Sequence, residues 1–208
     1  MVATDSFRLA EKKLFFDTKI SKKHSLILPQ SAAKEIVSVF GEKQGNLNIR
    51  FSSNQIMFEY MMNEIDHPQI QFISRLISGE YPNYQEIIPK KYKTQVKIQK
   101  KEFLNQIKSA SLFSGKINEV KLKINPKNNR VEVLSQSPSL GEYKSFFTGD
   151  ISGDEVSASF NHRFLIDGIS EIKKDKLSFE LTGEDGPAAL KPLGDEDYLY
   201  IIMPIKAT

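Results

Sequence analysis

The first half of the chain alternates apolar and polar residues with a period of two, except in one segment with helical spacing. The alternation predicts strands over residues 12–20 and 24–29, with a short turn between them. In residues 30–41 the apolar positions recur at i, i+3, i+4 and i+7, which predicts an amphipathic helix ending at Gly41. The apolar positions of this helix are Ala33, Ile36, Val37 and Phe40. Further strands are predicted over residues 47–51, 55–61 and 69–78.

The second half of the chain shows the same alternation around two helical segments. One helix follows a short strand near residue 94, and the other spans residues 161–172. Their inward positions are Phe103, Ile107 and Ala110 in the first helix and Leu165, Ile169 and Ile172 in the second. Residues 144–152 and 155–160 are expected to form a hairpin. The other predicted strands span residues 120–124, 130–137, 177–181, 187–192 and 198–205.

Two nine-residue stretches of the chain are similar to each other. Residues 13–21 read KLFFDTKIS and residues 144–152 read KSFFTGDIS, so the lysine, both phenylalanines, the isoleucine and the serine recur. A repeat at this distance indicates duplicated domains, and residues 78–93 resemble a linker between them. Many strands with few helices favour an α+β fold in which helices cover one face of antiparallel sheets. The first copy lacks the residues that precede the second repeat, so the chain is expected to begin within a domain.

The composition narrows the class of protein without naming a function. The chain has 39% hydrophobic and 26% charged residues and a net charge of +3, which is ordinary for a globular protein and only weakly basic. It contains no cysteine, which excludes disulfides and thiolate metal sites. No apolar run approaches the roughly 18 residues that cross a bilayer, and the N-terminus lacks the apolar core of a signal peptide. A cytoplasmic protein is therefore expected.

Patterns that would indicate catalysis or metal binding are absent from the sequence. The acidic stretch at residues 150–155 is not a calcium loop, because Glu155 and Asn161 stand where that loop needs glycine and glutamate. No phosphate-binding loop, nucleophile elbow or HExxH motif occurs, and the three histidines do not cluster. The sequence therefore predicts a protein that is not an enzyme and that uses no cofactor.

Basic residues concentrate on the two helical segments of the second half. If both helices cover the same sheet face, their outer sides form one electropositive surface that suits sequence-independent contact with DNA phosphates. A merely solvated helix face explains the same pattern equally well. The candidate DNA-facing residues are Lys100, Lys101, Lys108, Lys116, Arg163, Lys173 and Lys174.

Four motifs, in order along the chain, resemble the bacterial sliding clamp family, the beta subunit of DNA polymerase III. VATDSFRLA (residues 2–10) resembles the family's A-T-D-G-H-R-L-A stretch. SGEYPNYQEIIP (78–89) resembles G-x-[FY]-P-[DN]-Y-x-x-[VI]-[IL]-P. FNHRFLIDGI (160–169) is similar to F-N-x-x-[FY]-[LV]-x-D, and YIIMPIKAT (200–208) resembles the family's C-terminal ending.

The resemblance implies an architecture of duplicated clamp domains. Family members have three similar domains per chain, and two chains form a ring with sheets outside and helices lining a hole for double-stranded DNA. Residues 1–92 would be the second half of the middle domain plus a linker, and residues 93–208 the C-terminal domain. Leu112 and Phe113 would face the first domain of a second chain in the homodimeric ring. This chain alone is therefore not expected to close the ring.

The resemblance also implies a pocket between the middle and C-terminal domains for short peptides. The peptides would come from the DNA polymerase III catalytic subunit, the clamp loader and repair proteins. The apolar members can hold leucine or phenylalanine anchors, and Arg8 and Asn161 can hydrogen-bond the peptide. The final strand is expected beside Arg8 and Leu9. The residues assigned to the pocket are Thr4, Arg8, Leu9, Pro82, Ile87, Ile117, Asn161, Phe164, Ala188, Ile201, Met203, Pro204 and Ile205.

Three hypotheses about function remain open on the sequence. The first is a clamp portion, a non-catalytic processivity factor that tethers replication and repair proteins to DNA. The second is a stand-alone adaptor that binds peptides but never encircles DNA. The third is a hydrolase without a recognised motif. A further domain encoded in frame upstream of Met1 would favour the first hypothesis, and its absence would favour the second. DNA binding that is insensitive to salt would contradict the contact with phosphates.

Overall fold

The structure is a computed structural model that describes residues 1–15, 24–62 and 67–206. In these ranges it contains fourteen β-strands and three α-helices, which confirms the α+β class. The helices are α1 (Gln30–Phe40), α2 (Lys100–Ser111) and α3 (His162–Ser170). The strands are β1 (Val2–Thr4), β2 (Arg8–Lys12), β3 (Leu47–Phe51), β4 (Gln55–Met61), β5 (Pro68–Arg75), β6 (Thr94–Gln99), β7 (Glu119–Asn125), β8 (Arg130–Ser137), β9 (Gly141–Thr148), β10 (Asp150–Gly153), β11 (Val156–Asn161), β12 (Lys176–Leu181), β13 (Ala188–Pro192) and β14 (Tyr198–Ile202). None of the described helices is long and apolar enough to cross a membrane.

The chain divides into two compact units. The first comprises Met1–Phe16 and Gln85–Thr208, and the second is Asp17–Tyr84. The first unit has a seven-stranded sheet in the order β1-β2-β14-β13-β12-β6-β10 and a four-stranded sheet in the order β11-β7-β8-β9. The second unit has a three-stranded sheet in the order β3-β4-β5. All the paired strands run antiparallel.

The core of the first unit is formed jointly by α2, α3 and both sheets. Helix α2 contributes Phe103, Ile107 and Ala110, all fully buried, as their spacing predicts. Helix α3 contributes Leu165 and Ile169 to the same cluster, and the two helices contact each other. Because side chains alternate along each strand, one face of each sheet supplies the remaining core residues.

Helix α3 lies close to the last strand at a glycine. A Cβ at Gly168 would stand 2.5 Å from the ring of Tyr200, so a larger residue has no room there. Two tyrosine hydroxyls of β14 donate to α3 carbonyls, Tyr198 to Gly168 O at 3.2 Å and Tyr200 to Phe164 O at 2.9 Å. Burial raises the pKa of Tyr200 to about 12, so its hydroxyl keeps its proton near neutral pH. These contacts fix β14 beneath the helix.

The second unit has a smaller core, in which α1 packs on the sheet face that carries Ile56 and Phe58. The predicted helix is confirmed, but its inward face differs from the expected one. Val37 is 71% exposed, and Ala32 is buried instead. The sequence offers two overlapping stripes at helical spacing, and contact with the sheet selects the stripe that starts at Ala32.

The predicted strand over residues 24–29 is wrong, because these residues form no strand. Of the predicted strand 12–20, only Lys12 lies in a strand and residues 13–15 do not, while residues 16–23 lie outside the described part of the chain. In the described part of the chain, the backbone bonds of residues 24–29 run from Ile77 N–H to Ile27 O at 2.9 Å and from Ala33 N–H, in the first turn of α1, to Pro29 O at 3.0 Å. Alternating residues without a ladder of such bonds do not make a strand.

The predicted hairpin of residues 144–152 with 155–160 is also wrong. The first segment divides into β9, which pairs with β8, and β10, which pairs with β6, whereas β11 pairs with β7. The break falls at Gly149, where a Cβ would lie 2.7 Å from the Ile98 side chain and 2.9 Å from Lys97 O. The chain changes sheets at this close approach, so its two halves have different neighbours.

The N-terminal hairpin β1–β2 belongs to the first unit because β2 pairs with β14. The boundary expected near residue 92 separates two clamp domains of the family. It is a different division from the two compact units described above, and it stays a prediction.

Candidate functional site

The last strand lies beside β2, as the sequence analysis predicts for the pocket. Strands β2 and β14 pair with Leu9 opposite Ile201 and Arg8 opposite Ile202. Just beyond the ladder, Met203 N–H donates to Phe7 O at 2.9 Å. The pairing therefore brings residues 7–9 and residues 201–203 together in the first unit.

The predicted pocket residues on this pair of strands lie on both faces of the sheet. Leu9 and Ile201 share one face, and alternation places Arg8 and Ile202 on the face that α3 covers. Ala188 stands opposite Ile202 on that helix-covered face and is fully buried. Leu9 and Ile201 are only 2% and 1% exposed, so their side chains do not form open walls.

Arg8 is held by an ion-pair and stacking cluster. Its Nε donates to Asp5 Oδ2 at 2.9 Å and its Nη1 donates to Asp167 Oδ2 at 2.6 Å. Its guanidinium lies 4.3 Å from the centre of the Phe164 ring. Burial opposes its charge, but the hydrogen bonds that it donates to Asp167 and Asp5 outweigh burial and raise the pKa of Arg8. The cluster ties β2 to helix α3.

The turn between β1 and β2 is built by its own polar side chains. Asp5 Oδ1 accepts the backbone N–H groups of Phe7 at 3.1 Å and Arg8 at 3.0 Å. Burial works against the Asp5 carboxylate, yet these bonds and the Arg8 side chain lower its pKa. Thr4 Oγ1 donates to Arg8 O at 2.8 Å, and Ser6 takes a positive φ of 74°. The turn leaves Phe7 63% exposed next to Met203.

The chain after β14 crosses from one sheet of the first unit to the other. Met203, Pro204 and Ile205 are half-buried, and Ile205 N–H donates to Ser159 O of β11 at 2.7 Å. Asn161 lies at the end of β11 and caps α3, where its Oδ1 accepts Arg163 N–H at 3.0 Å. This bond occupies an oxygen that the sequence analysis expected to be available for a peptide.

The remaining predicted pocket residues are exposed to solvent. Ile117 and Ile87 are 61% and 47% exposed. Pro82 is exposed and belongs to the second unit. Their part in a pocket stays a prediction.

Sequence reasoning missed Asp5 and Asp167, the two partners of Arg8 in the cluster, and Tyr200, which interacts with Arg8 from the neighbouring strand. A signal was present for one of them, since Asp167 lies three residues after Phe164 on α3, and the i, i+3 spacing places both on one helix face. For Tyr200 no local signal existed, because only the sheet brings it near Arg8.

The candidate DNA-facing residues divide into two kinds. Lys100 is half-buried, and its ammonium donates to Ser170 O at 3.0 Å and to Ile172 O at 2.5 Å. It therefore stabilises the end of α3, where a cation is favourable. The other six candidates, all exposed, are Lys101, Lys108, Lys116, Arg163, Lys173 and Lys174.

The two residues predicted for a ring interface differ in exposure. Leu112, at the end of α2, is 71% exposed. Phe113 is half-buried and stacks on Tyr143, with ring centres 5.8 Å apart. Their role in joining chains stays a prediction.

Two further findings concern metal ligands and a charged groove in the described ranges. No group of three or more potential metal ligands occurs in these ranges. An open groove of about 390 Å³ lies on the outer face of the four-stranded sheet. Its charged lining residues are Glu119, Lys121, Lys123, Glu142 and Lys144.

Comparison with known proteins gives similarity along the whole chain. Residues 1–83 match the family model described as DNA polymerase III beta subunit, central domain, and residues 85–206 match its C-terminal domain. The beta sliding clamp of Staphylococcus aureus is 31% identical over 205 residues, which are 98% of this chain and 52% of that protein. A Bacillus subtilis sliding clamp structure has 28% identity and a TM-score of 0.90, covering 100% of this chain and 53% of that one. A Streptococcus pneumoniae DNA polymerase III beta chain has 28% identity and a TM-score of 0.87, covering 99% and 53%.

These matches and the fold define a clamp-type protein. The chain belongs to the DNA polymerase III beta subunit family, which confirms the recognition made from the four sequence motifs. It spans about half the length of the curated relatives it matches.

His162 gives a prediction about stability and pH. It begins α3, it is 8% exposed, and its Nδ1 is buried without a hydrogen-bond partner in the described structure. Burial and the neighbouring Arg163 lower the pKa of His162. The unfolded chain therefore binds more protons, and the folded state should lose stability as pH falls below the unfolded value of about 6.5.

The measurement is the urea midpoint, followed by circular dichroism, between about pH 7 and about pH 5.5. His162→Phe keeps a ring but cannot titrate, so its midpoint should fall less over this range. His24→Phe, at an exposed position, is the matched control and should behave like the wild type. If the urea midpoint falls equally with pH in the wild type and in His162→Phe, His162 does not contribute to the pH dependence of stability.

Proposed function

We propose that the chain is a portion of a DNA sliding clamp, a non-catalytic processivity factor that tethers proteins of replication and repair to DNA. The observation that carries the proposal is the match to two clamp domain models in order, residues 1–83 and 85–206. On this proposal residues 1–92 are part of the middle domain with a linker, and residues 93–208 are the C-terminal domain. The protein acts in the cytoplasm.

The proposed peptide site is the surface around the end of the β2–β14 pair. Exposed Phe7 and half-buried Met203 and Pro204 offer apolar contact to a leucine or phenylalanine anchor. Methionine adapts its shape to different anchors, which suits a site with several partners. Support comes from the bond between Met203 N–H and Phe7 O, which holds these residues together.

The buried members of the site have a different part in this proposal. Leu9 and Ile201 are only 2% and 1% exposed, so in this proposal they support the site from below and a peptide contacts them only after a local rearrangement. Arg8 and Phe164 hold the turn before β2 against α3. The partners are short peptides of the DNA polymerase III catalytic subunit, the clamp loader and repair proteins.

The proposed DNA-facing surface consists of the exposed cations of α2, α3 and the segments after them. Helices α2 and α3 contribute to one core and contact each other, which supports a shared outer surface. Contact with phosphates rather than bases leaves the protein free to move along double-stranded DNA. In a complete homodimeric ring, Leu112 and Phe113 meet the second chain.

The peptide site is tested by measuring binding of a labelled peptide that carries a glutamine-leucine-phenylalanine motif. Met203→Asp places a charge where the anchor would be buried, so the affinity should fall by about 10-fold or more, since removing an anchor costs at least about 1.4 kcal/mol. Fluorescence anisotropy of the peptide gives the dissociation constant.

The matched control is Met57→Asp, on the three-stranded sheet of the second unit, which should bind like the wild type. Equal affinity of Met203→Asp and wild type would remove the site. Circular dichroism of both variants must match the wild type for the comparison to hold.

The DNA-facing surface is tested by the salt dependence of binding to double-stranded DNA. Replacing Lys101, Lys108 and Arg163 with alanine should weaken binding at low salt. The slope of log affinity against log salt should become shallower by about 0.9 for each phosphate that the variant no longer neutralises.

The control replaces Lys121, Lys123 and Lys144 of the outer groove with alanine, which removes the same charge from another surface. The proposal requires that this control keep the wild-type slope. Similar slopes in both triple variants would mean that the helices do not contact DNA. Peptide binding without any DNA binding would favour the stand-alone adaptor.

A further inference from the structure

The outer face of the four-stranded sheet is turned away from α2. On the inner face, the Tyr143 hydroxyl donates to Gln106 Oε1 of α2 at 2.8 Å, and the rings of Phe147 and Phe103 have centres 5.5 Å apart. Because side chains alternate along a strand, Lys144 points to the outer face. The groove of about 390 Å³ lies on this outer face, so the sheet separates it from α2.

A leucine with a lysine on either side lies in the groove. Leu134 of β8 stands opposite Lys121 of β7 and opposite Lys144 of β9, so the three side chains form one row across the sheet. Leu134 is half-buried, and both lysines are exposed. Neighbouring strands are about 4.8 Å apart, which places the two lysine Cα atoms about 10 Å from each other. The row therefore offers one apolar contact between two cations.

The lysines of the groove are not neutralised by carboxylates of their own sheet. The ion pairs found among the described residues include none of the three groove lysines, Lys121, Lys123 and Lys144. Glu132 stands opposite Lys123, but its Oε1 lies 3.4 Å from Nη2 of Arg130 instead. The groove therefore carries cations that remain available to a ligand.

Lysines of the seven-stranded sheet show the contrasting arrangement. Lys97 Nζ lies 3.4 Å from Asp150 Oδ2, and Lys191 Nζ lies 2.8 Å from Glu180 Oε2. In the groove, leucine rather than an acid stands between the two lysines of the row. Like charges on one face repel each other, and a carboxylate supplied by a ligand relieves that repulsion.

Two glutamates limit the kind of anion that fits the groove. Glu119 of β7 and Glu142 of β9 line it together with the lysines, and Gln136 stands opposite Glu142. A continuous polyanion such as DNA would bring phosphates to these glutamates as well as to the lysines. A peptide can place carboxylates at the lysines and uncharged groups at the glutamates. The charges of the groove therefore favour an acidic peptide over nucleic acid.

We propose that the groove is a docking site for an extended acidic segment of a partner protein. Two acidic side chains pair with Lys121 and Lys144, and an apolar side chain between them packs on Leu134. Alternate residues of an extended peptide share one face, and acids four residues apart have Cα atoms about 13 Å apart, a span that long lysine side chains can meet. The groove shares no residue with the site at Met203 or with the proposed DNA-facing surface, so its failure would leave the proposed function untouched.

The test is an NMR titration of the full chain with the peptide acetyl-Glu-Ser-Leu-Ser-Glu-amide. The amides of Leu134 and Lys144 should shift as the peptide is added, whereas the amide of Met203 should not. Salt at about 1 M should weaken the binding, because exposed ion pairs are screened. The uncharged peptide acetyl-Gln-Ser-Leu-Ser-Gln-amide should bind at least about 5-fold more weakly.

Charge reversal gives an independent readout of the same groove. Lys121→Glu combined with Lys144→Glu should weaken binding of the acidic peptide at least about 10-fold and should create binding of acetyl-Lys-Ser-Leu-Ser-Lys-amide. The matched control combines Lys173→Glu with Lys174→Glu, which makes the same change of net charge at exposed positions after α3 and should bind the acidic peptide like the wild type.

Several results would overturn the proposal. They are the absence of a shift at Leu134, equal binding of the acidic and uncharged peptides, equal loss of binding in both double variants, and shifts confined to the surroundings of Met203. Displacement of the bound peptide by double-stranded DNA would also contradict it, because the groove would then be a general site for polyanions.

Discussion

The pairing of β2 with β14 is the constraint on which the candidate site depends. It joins residues 8–12 to residues 198–202 in one ladder and so makes the N-terminal hairpin part of the seven-stranded sheet. Side chains reinforce the ladder at both ends. Arg8 is bound to Asp167 of α3 at one end, and Lys12 forms an ion pair with Asp197 at the other. Without this pairing, Phe7 and Met203 would not be held next to each other.

The period of the strands then decides which side chains can act together. Leu9 and Ile201 lie on one face of the pair, and Arg8 lies on the other with Phe164. A ligand that contacts residues on both faces must therefore bind across the end of the ladder, where Met203 and the residues after it lie. A pocket inferred from residue similarity alone does not show this division.

Helical periodicity allowed the best predictions from the residues themselves, whereas the one distant sheet neighbour that was predicted, β14 beside β2, came from the family resemblance and not from periodicity. The inward face of α2 follows from its spacing because Phe103 and Ile107 fall on a single stripe, whereas α1 has two overlapping stripes and Val37 was assigned to the wrong one. The segment at Gly149 looks like one strand, but its pairing depends on strands far away in sequence. Lys100 reads as a surface cation, and its bonds to the end of α3 depend on tertiary contact.

The most direct measurement of the central claim is amide hydrogen exchange of β2 and β14 in the full chain. If the hairpin is part of the sheet, the amides of Leu9–Lys12 and of Tyr198–Ile202 that bond across the ladder should be protected to a similar degree. The Met203 amide, bonded to Phe7 O, should be protected with them. Rapid exchange throughout β2 while β14 stays protected would mean that the N-terminal hairpin is not held there, and the candidate site would not exist.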